Sequence, residues 1–226
     1  MHIEPGVVTG AKLLLGHATA AASLATAWWL AARAVKKDGV AALALRTLVA
    51  SFLVFCFFEV FPHRPVGVSE VHLILGSTLL LLFGPAAAAL GLAGGLLAQG
   101  MFFAPADLPQ FGMNVTTLLV PLFATALLAR RIVAPHIPYV ELRYRDVLRL
   151  SLAYQGGVVS WVAFWALYGQ GVGAENLAQV ASFGAAYLAV VLVEPLIDLA
   201  VLAAAKAWHR GRESLLLQRR LFMGRA

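Results

Sequence analysis

The sequence predicts an all-α polytopic membrane protein of about seven transmembrane helices, with its N-terminus outside and its C-terminus in the cytoplasm. Three observations carry that expectation. Of the 226 residues, 61% are hydrophobic and only 12% charged, where a soluble domain has about a quarter charged. The mean hydropathy is +0.84, and apolar runs of spanning length follow one another along the chain. The lysines and arginines gather at alternate junctions between those runs.

A spanning helix needs about 20 apolar residues to cross about 30 Å of hydrocarbon. Residues 13–32 carry no charge and form the first candidate. Residues 39–61 form the second, with Arg46 near one end and Glu59 near the other. Residues 71–106 hold no acid, lysine or arginine and are too long for one crossing. Gly84-Pro85 divides them, because proline removes a backbone donor and disfavours helix in the residue before it. Residues 108–129 and 150–174 follow, and residues 176–205 close the series, interrupted by Glu194 and Asp198.

Charge sets the direction. Basic residues cluster at Arg33-Lys36-Lys37, at Arg130-Arg131 with Arg143, Arg145 and Arg149, and from Lys206 onward. Lysine and arginine stay on the cytoplasmic side, and the three clusters share a side only if residues 71–106 cross twice. On that topology 15 of the 17 basic residues lie inside, with Lys12 and Arg64 outside. Residues 71–83 span only about 20 Å at 1.5 Å per residue, so this arm is expected to sit sunk beneath an outer loop. With Glu4 and a single Lys12, the start makes a poor signal peptide, whose leading region is basic.

Several function classes drop out. Cys56 is the single cysteine, which excludes a disulfide framework and a multi-cysteine metal site. No glycine-rich loop ends in Gly-Lys-Ser/Thr, so the chain has no P-loop and uphill work draws on a partner. The net charge of +6 is explained by the cytoplasmic clusters and calls for no nucleic acid. No His-Glu-x-x-His pair exists, and Glu59–His63 lacks the first histidine, so no catalytic residue is assigned.

The start, Met1-His2-Ile3-Glu4-Pro5-Gly6, has a chemistry of its own. A free α-amine, the residue-2 amide nitrogen once deprotonated, and the His2 imidazole close two fused chelate rings on one metal. A second imidazole would complete a planar set of four nitrogens, which suits Ni(II), Cu(II) or low-spin cobalt better than Mg, Ca or tetrahedral Zn. On the expected topology His72, entering an apolar helix, faces the same side as His2. His63 competes for that place from an interfacial loop, while His17 reads as a core histidine and His136 and His209 as cytoplasmic interface residues.

Met1-His2-Ile3 with an acid and Gly6 forms the first of a set of motifs. Gly67-Val68-Ser69-Glu70-Val71-His72-Leu73 with Gly76, then Phe83-Gly84-Pro85-Ala86, follow it. Gln99 with Phe102-Phe103, and Gly112-Met113-Asn114, complete it. Together they resemble the CbiM/NikM type, the substrate-binding components of cobalt and nickel energy-coupling-factor (ECF) ABC transporters. The resemblance covers roughly residues 1–121 by motif and the whole chain by span pattern. It implies a transport component rather than an enzyme, which captures Co2+ or Ni2+ at its outer face as transported substrate and holds no organic cofactor. It implies metal ligation by the Met1 amine, the His2 amide and imidazole, and the His72 imidazole. Asn114 matches the family's asparagine, and Ser69 and Gln99 are weaker supporting candidates behind the ligands. The implied partners are an ECF transmembrane coupling subunit and two ATPase subunits in a bacterial inner membrane. This chain departs from the pattern in three places: Glu4 and Pro5 stand in exchanged order, two residues rather than one separate Ser69 from His72, and Ala104-Pro105-Ala106-Asp107 replaces a His-Gly pair.

Residues 1–226 thus read as one transmembrane component. An outer metal site draws on residues 1–6 and 62–72, residues 136–149 are expected to lie as a helix in the cytoplasmic interface, and residues 206–226 form a basic tail. Glu194 and Asp198 share a helix face and are expected to pair with Arg46, a metal relay being the alternative. Alanines at 18 and 22, and at 21 and 25, have small-xxx-small spacing, fitted to a transmembrane partner or to internal packing. Two readings of another class stand beside transport: an intramembrane metal-dependent enzyme and a non-transporting scaffold.

Overall fold

Lipid offers no hydrogen bonds to an open backbone, so apolar spans close their own as helices. The computed structural model describes residues 3–134 and 137–211. Its helices are α1 (Leu13–Asp38), α2 (Val40–Phe55), α3 (Gly76–Phe102), α4 (Phe111–Ile132), α5 (Tyr144–Gln170) and α6 (Ala174–Gly211). A π-helical turn, Cys56–Val60, extends α2, and a hairpin of β1 (Arg64–Val66) and β2 (Ser69–Val71) links it to α3. Six helical stretches among the described residues are long and apolar enough to cross a membrane.

The break expected at Gly84-Pro85 falls inside α3, where Gly84 leaves helical geometry at φ 82°, ψ 166°. Contacts give the direction of each arm. The Ile74 amide donates to Glu194, and Ser77 and Thr78 donate to Asp198, so the first arm runs in step with α6. A side chain at Gly91 would meet Ala50, and one at Gly95 would meet Val54, so the second arm runs in step with α2. Helix α2 ends at the hairpin, whereas α6 starts beside it, where Gly67 abuts the Gln179 backbone. The arms are therefore antiparallel, and the chain doubles back at Gly84, whose positive φ suits only glycine without strain. The first arm, 76–83, is about 12 Å long. It occupies the place of the seventh pass without the length to cross alone.

Large side chains fill the centre: Tyr154 and Trp165 from α5, Phe183 and Tyr187 from α6, and Phe58 are buried. The buried residues of α1 are a narrow stripe of small ones, Gly16, Ala20, Ser23, Ala27 and Ala31, at the three- and four-residue spacing of one helix face. A side chain at Gly112 would lie 2.9 Å from the Gly16 carbonyl, so α1 and α4 cross almost backbone to backbone, the close approach that small residues permit.

Three expectations are corrected. His17, one position round from that stripe, is exposed rather than a core histidine. Arg46 does not reach Glu194 or Asp198; it bonds Asp38 at 2.6 Å across the α1–α2 turn, since its long stem lets the guanidinium reach back toward the helix end. The two buried carboxylates accept neutral donors instead. Gln155 and the Ile74 amide serve Glu194, Ser77 and Thr78 serve Asp198, and Tyr187 donates to Gln155 at 2.6 Å. Finally, residues 137–149 form no separate interfacial helix. A 3-10 turn, Tyr139–Glu141, leads straight into α5, because Leu142 and Val147 bury themselves against Leu202. His136 and residues 212–226 of the basic tail lie outside the described residues.

Candidate metal site

Residues 62–72 are built by a tight hairpin. Arg64 pairs with Val71 and Val66 with Ser69, so Gly67-Val68 form a two-residue turn, and Gly67 takes φ 60° as such turns require. Val68 and Ser69 are fully buried. The start of the chain adds to this hairpin as an outer strand: Ile3 bridges Ser69, and the Glu4 amide donates to the Val68 carbonyl at 3.1 Å. Ile3, Val7 and Val8 are buried, which anchors a segment that on sequence grounds alone would be a free terminus.

Asn114 supplies the second anchor. It sits in the first turn of α4, 1% exposed, and its Oδ1 accepts the Ile3 amide at 2.8 Å. Gln99, near the end of α3, lines the same small cavity of about 10 Å³ as Asn114, with room for about one water. Its Oε1 is buried with no hydrogen-bond partner among the described residues. Ser69 and Asn114 are thus gathered around Ile3, and Gln99 stands beside Asn114. Met1 and His2, the first two expected ligands, lie outside the described residues.

His72 follows β2 and is 2% exposed. Its ring packs on Phe58 with centroids 4.5 Å apart, and Nδ1 lies 3.1 Å from the Leu73 carbonyl. With the proton on Nδ1 the ring donates to that carbonyl, which orients it and puts the lone pair on Nε2, the arrangement usual for a ligating imidazole. Two residues on, the Ile74 amide is held by Glu194, and Leu75 takes a left-handed φ of 53°. His63, by contrast, is exposed, with Nδ1 3.3 Å from the Phe61 carbonyl, and stands apart from the buried cluster. The described residues contain no group of three or more His, Cys, Asp or Glu side chains placed to hold a metal.

Two acids that sequence reasoning passed over complete the electrostatics. The Glu4 carboxyl titrates above its ordinary 4.5 because burial disfavours its charge and because Glu70 and Asp107 repel it. Three acids from separate stretches therefore bias this end toward cations. Lys12 lies at the same end but is engaged elsewhere, donating to the Gly169 carbonyl at 2.8 Å, at the C-terminal end of α5 where a cation is favoured. Glu70 stands within the hairpin motif and Asp107 within a departure from the pattern, but no spacing links them; only the hairpin and the turn before α4 bring them near Glu4.

Comparison with known proteins agrees with this architecture. A family profile described as "Cobalt uptake substrate-specific transmembrane region" matches residues 2–210. A crystal structure described as a transition metal transporter superposes with a TM-score of 0.63 at 18% identity, covering 97% of each chain. Another, described as a truncated transition metal transporter, gives 0.57 at 19% identity over 92% of this chain and 97% of that one. At such identities the two structures establish the shared fold. No curated protein sequence matches the chain. The profile match over nearly the whole length, on a multi-pass apolar bundle whose N-terminal segment is buried beside a histidine-bearing hairpin, makes this chain a member of that cobalt-uptake transmembrane family, a membrane component of metal uptake.

Proposed function

We propose that the chain captures a divalent transition metal in a set of four nitrogens: the Met1 amine, the His2 amide and imidazole, and the His72 imidazole. One observation carries the reading. Ile3, the residue next to the chelating pair, is bound to Asn114 at 2.8 Å and bridged to Ser69, three residues before His72. Two parts of the chain that must meet at one ion are thereby tied to each other on a buried frame. Cobalt is the first expectation and nickel the second, since both accept planar nitrogen sets.

The imidazoles bind only when neutral and the His2 amide binds only when deprotonated, so metal capture releases protons and weakens in acid. The acids Glu4, Glu70 and Asp107 raise the local cation concentration at low ionic strength. Energy for uptake comes from an ECF coupling subunit and two ATPase subunits, in a bacterial inner membrane whose cytoplasmic side holds the basic end of the bundle. The alanine face of α1 supports such a partner: Ala18, Ala21, Ala22 and Ala25 are exposed, outside the stripe that packs internally.

The decisive comparison is between protein with the native Met1 amine and protein carrying one extra residue before it. Metal analysis and the d–d absorption of bound cobalt should show one ion per native chain and loss of binding on extension. Equal metal content and unchanged spectra in both would overturn the reading. Competition between Co2+ and Ni2+ at the native protein then ranks the two substrates.

A further inference from the structure

At the other end of the bundle a cavity of about 810 Å³ opens between α1, α2, the Gly84 turn and the end of α4. We propose that it binds the phosphate headgroup of an anionic phospholipid, a site separate from the metal and independent of it. Four cations line the cavity, Arg33, Lys37, Arg46 and Arg130, against one carboxylate, Asp38. Asp38 is already engaged by Arg46 at 2.6 Å, so the lining keeps a surplus of positive charge, Arg33 and Lys37 from α1 and Arg130 from α4. A phosphodiester is the anion that this surplus suits, and guanidinium groups match its oxygens in pairs.

Position selects a lipid over a soluble anion. The walls carry apolar groups, among them Leu30, Leu43, Leu82 and Phe83, and Leu82 is 43% exposed, so the charged floor merges into surface of the kind that faces acyl chains. The Arg33 guanidinium stacks 4.6 Å over Trp29, and Trp28 and Trp29 are 74% and 52% exposed. Exposed tryptophans on a spanning helix settle at headgroup level, which puts the cations at the depth of lipid phosphates. Basic pockets between helices on the cytoplasmic side are the recurrent means of holding such headgroups. The second arm of α3 begins at Pro85, and Ala86 and Ala87 of its first turn also line the cavity. First-turn amides have no partner within their helix, so they add to the same positive field.

The test uses the full chain, delipidated and returned to nanodiscs of phosphatidylcholine with or without phosphatidylglycerol, with retained lipid counted by native mass spectrometry. Wild type should keep phosphatidylglycerol in preference to phosphatidylcholine. R33Q/K37Q/R130Q should lower that retention on the order of tenfold or more while metal binding is unchanged. A matched control, K36Q/R131Q/R145Q, removes three charges at the same end outside the cavity and should retain lipid like wild type. If the cavity variant fails to fold, K37Q alone, on an exposed side chain, should still show a several-fold fall. The proposal is overturned by equal retention of both lipids in wild type, or by equal loss in the two triple variants. It is overturned equally if millimolar glycerophosphate displaces the lipid, which marks a soluble-anion site, or if the cavity variant keeps its lipid like wild type.

Discussion

Asn114 Oδ1 accepts the amide of Ile3 at 2.8 Å, across 111 positions of sequence. The bond is buried on both sides, so its loss leaves an amide unsatisfied rather than rehydrated. It also fixes the residue that follows His2 in the chain.

Asn114→Leu is therefore expected to weaken cobalt binding by about 10- to 100-fold, the usual effect of removing a group that orients metal ligands. Asn114→Asp keeps the acceptor and should lose less. Isothermal titration on both variants decides the matter, beside His72→Ala as the full-loss reference. Wild-type affinity in Asn114→Leu would show that residue 3 needs no such anchor.

Gly169 lies against the backbone of Val7, and a methyl group there would collide with the Val7 carbonyl and crowd Val8. Backbone has no rotamer with which to yield. Gly169→Ala should destabilise the protein by about 1–3 kcal/mol, as overpacking does. It should also push residues 7 and 8 outward, lowering metal affinity together with Tm. A melting curve that does not move, with affinity intact, would refute the close packing of the N-terminal segment.

Glu194 holds the Ile74 amide and Gln155. Glu194→Ala orphans both, at about 1–3 kcal/mol for each buried group. Melting temperature should fall, and metal affinity should fall with it, because Ile74 stands two residues from His72. Affinity lost at unchanged melting temperature would instead mark a carboxylate on a metal path.

The pH response has two parts of opposite sign. Binding at the proposed nitrogen set should strengthen as pH rises, because protons leave the imidazoles and the amide. Apo stability should drift the other way at the Glu4 carboxyl. Its folded-state titration lies above the ordinary 4.5, so its contribution is fully present below that value and is lost as pH climbs through the raised one. Glu4→Gln should flatten this drift in the melting temperature of metal-free protein. A drift that persists in Glu4→Gln assigns it to another group.

Much of the architecture was legible because lipid makes hydropathy a direct record of span length. The six long helices and the break at Gly84 follow from apolar runs and one glycine–proline pair. Pairing inside the bundle was not legible. Arg46 was expected on Glu194 and Asp198 because sequence shows opposite charges on two spans and hides their depth. In the structure Asp38 is nearer, and hydroxyls, amides and a backbone N–H serve the buried carboxylates. The fate of His17 turned on a shift of one position around α1, which no composition signal records. At the proposed metal site, the family resemblance indicated His72, Ser69 and Asn114 as candidates, and the structure gathers Ser69 and Asn114 about Ile3. Glu70 and Asp107 escaped notice because a negative rim assembled from three stretches has no spacing of its own.

Because the chain folds back on itself at Gly84, both extremities of α3 finish at the end of the bundle where the N-terminal segment meets the hairpin. Gly76 lies four residues beyond His72, and Gln99 lies beside Asn114. A single turn at the far end of the molecule therefore ties the stretch that carries His72 to the stretch that carries Gln99.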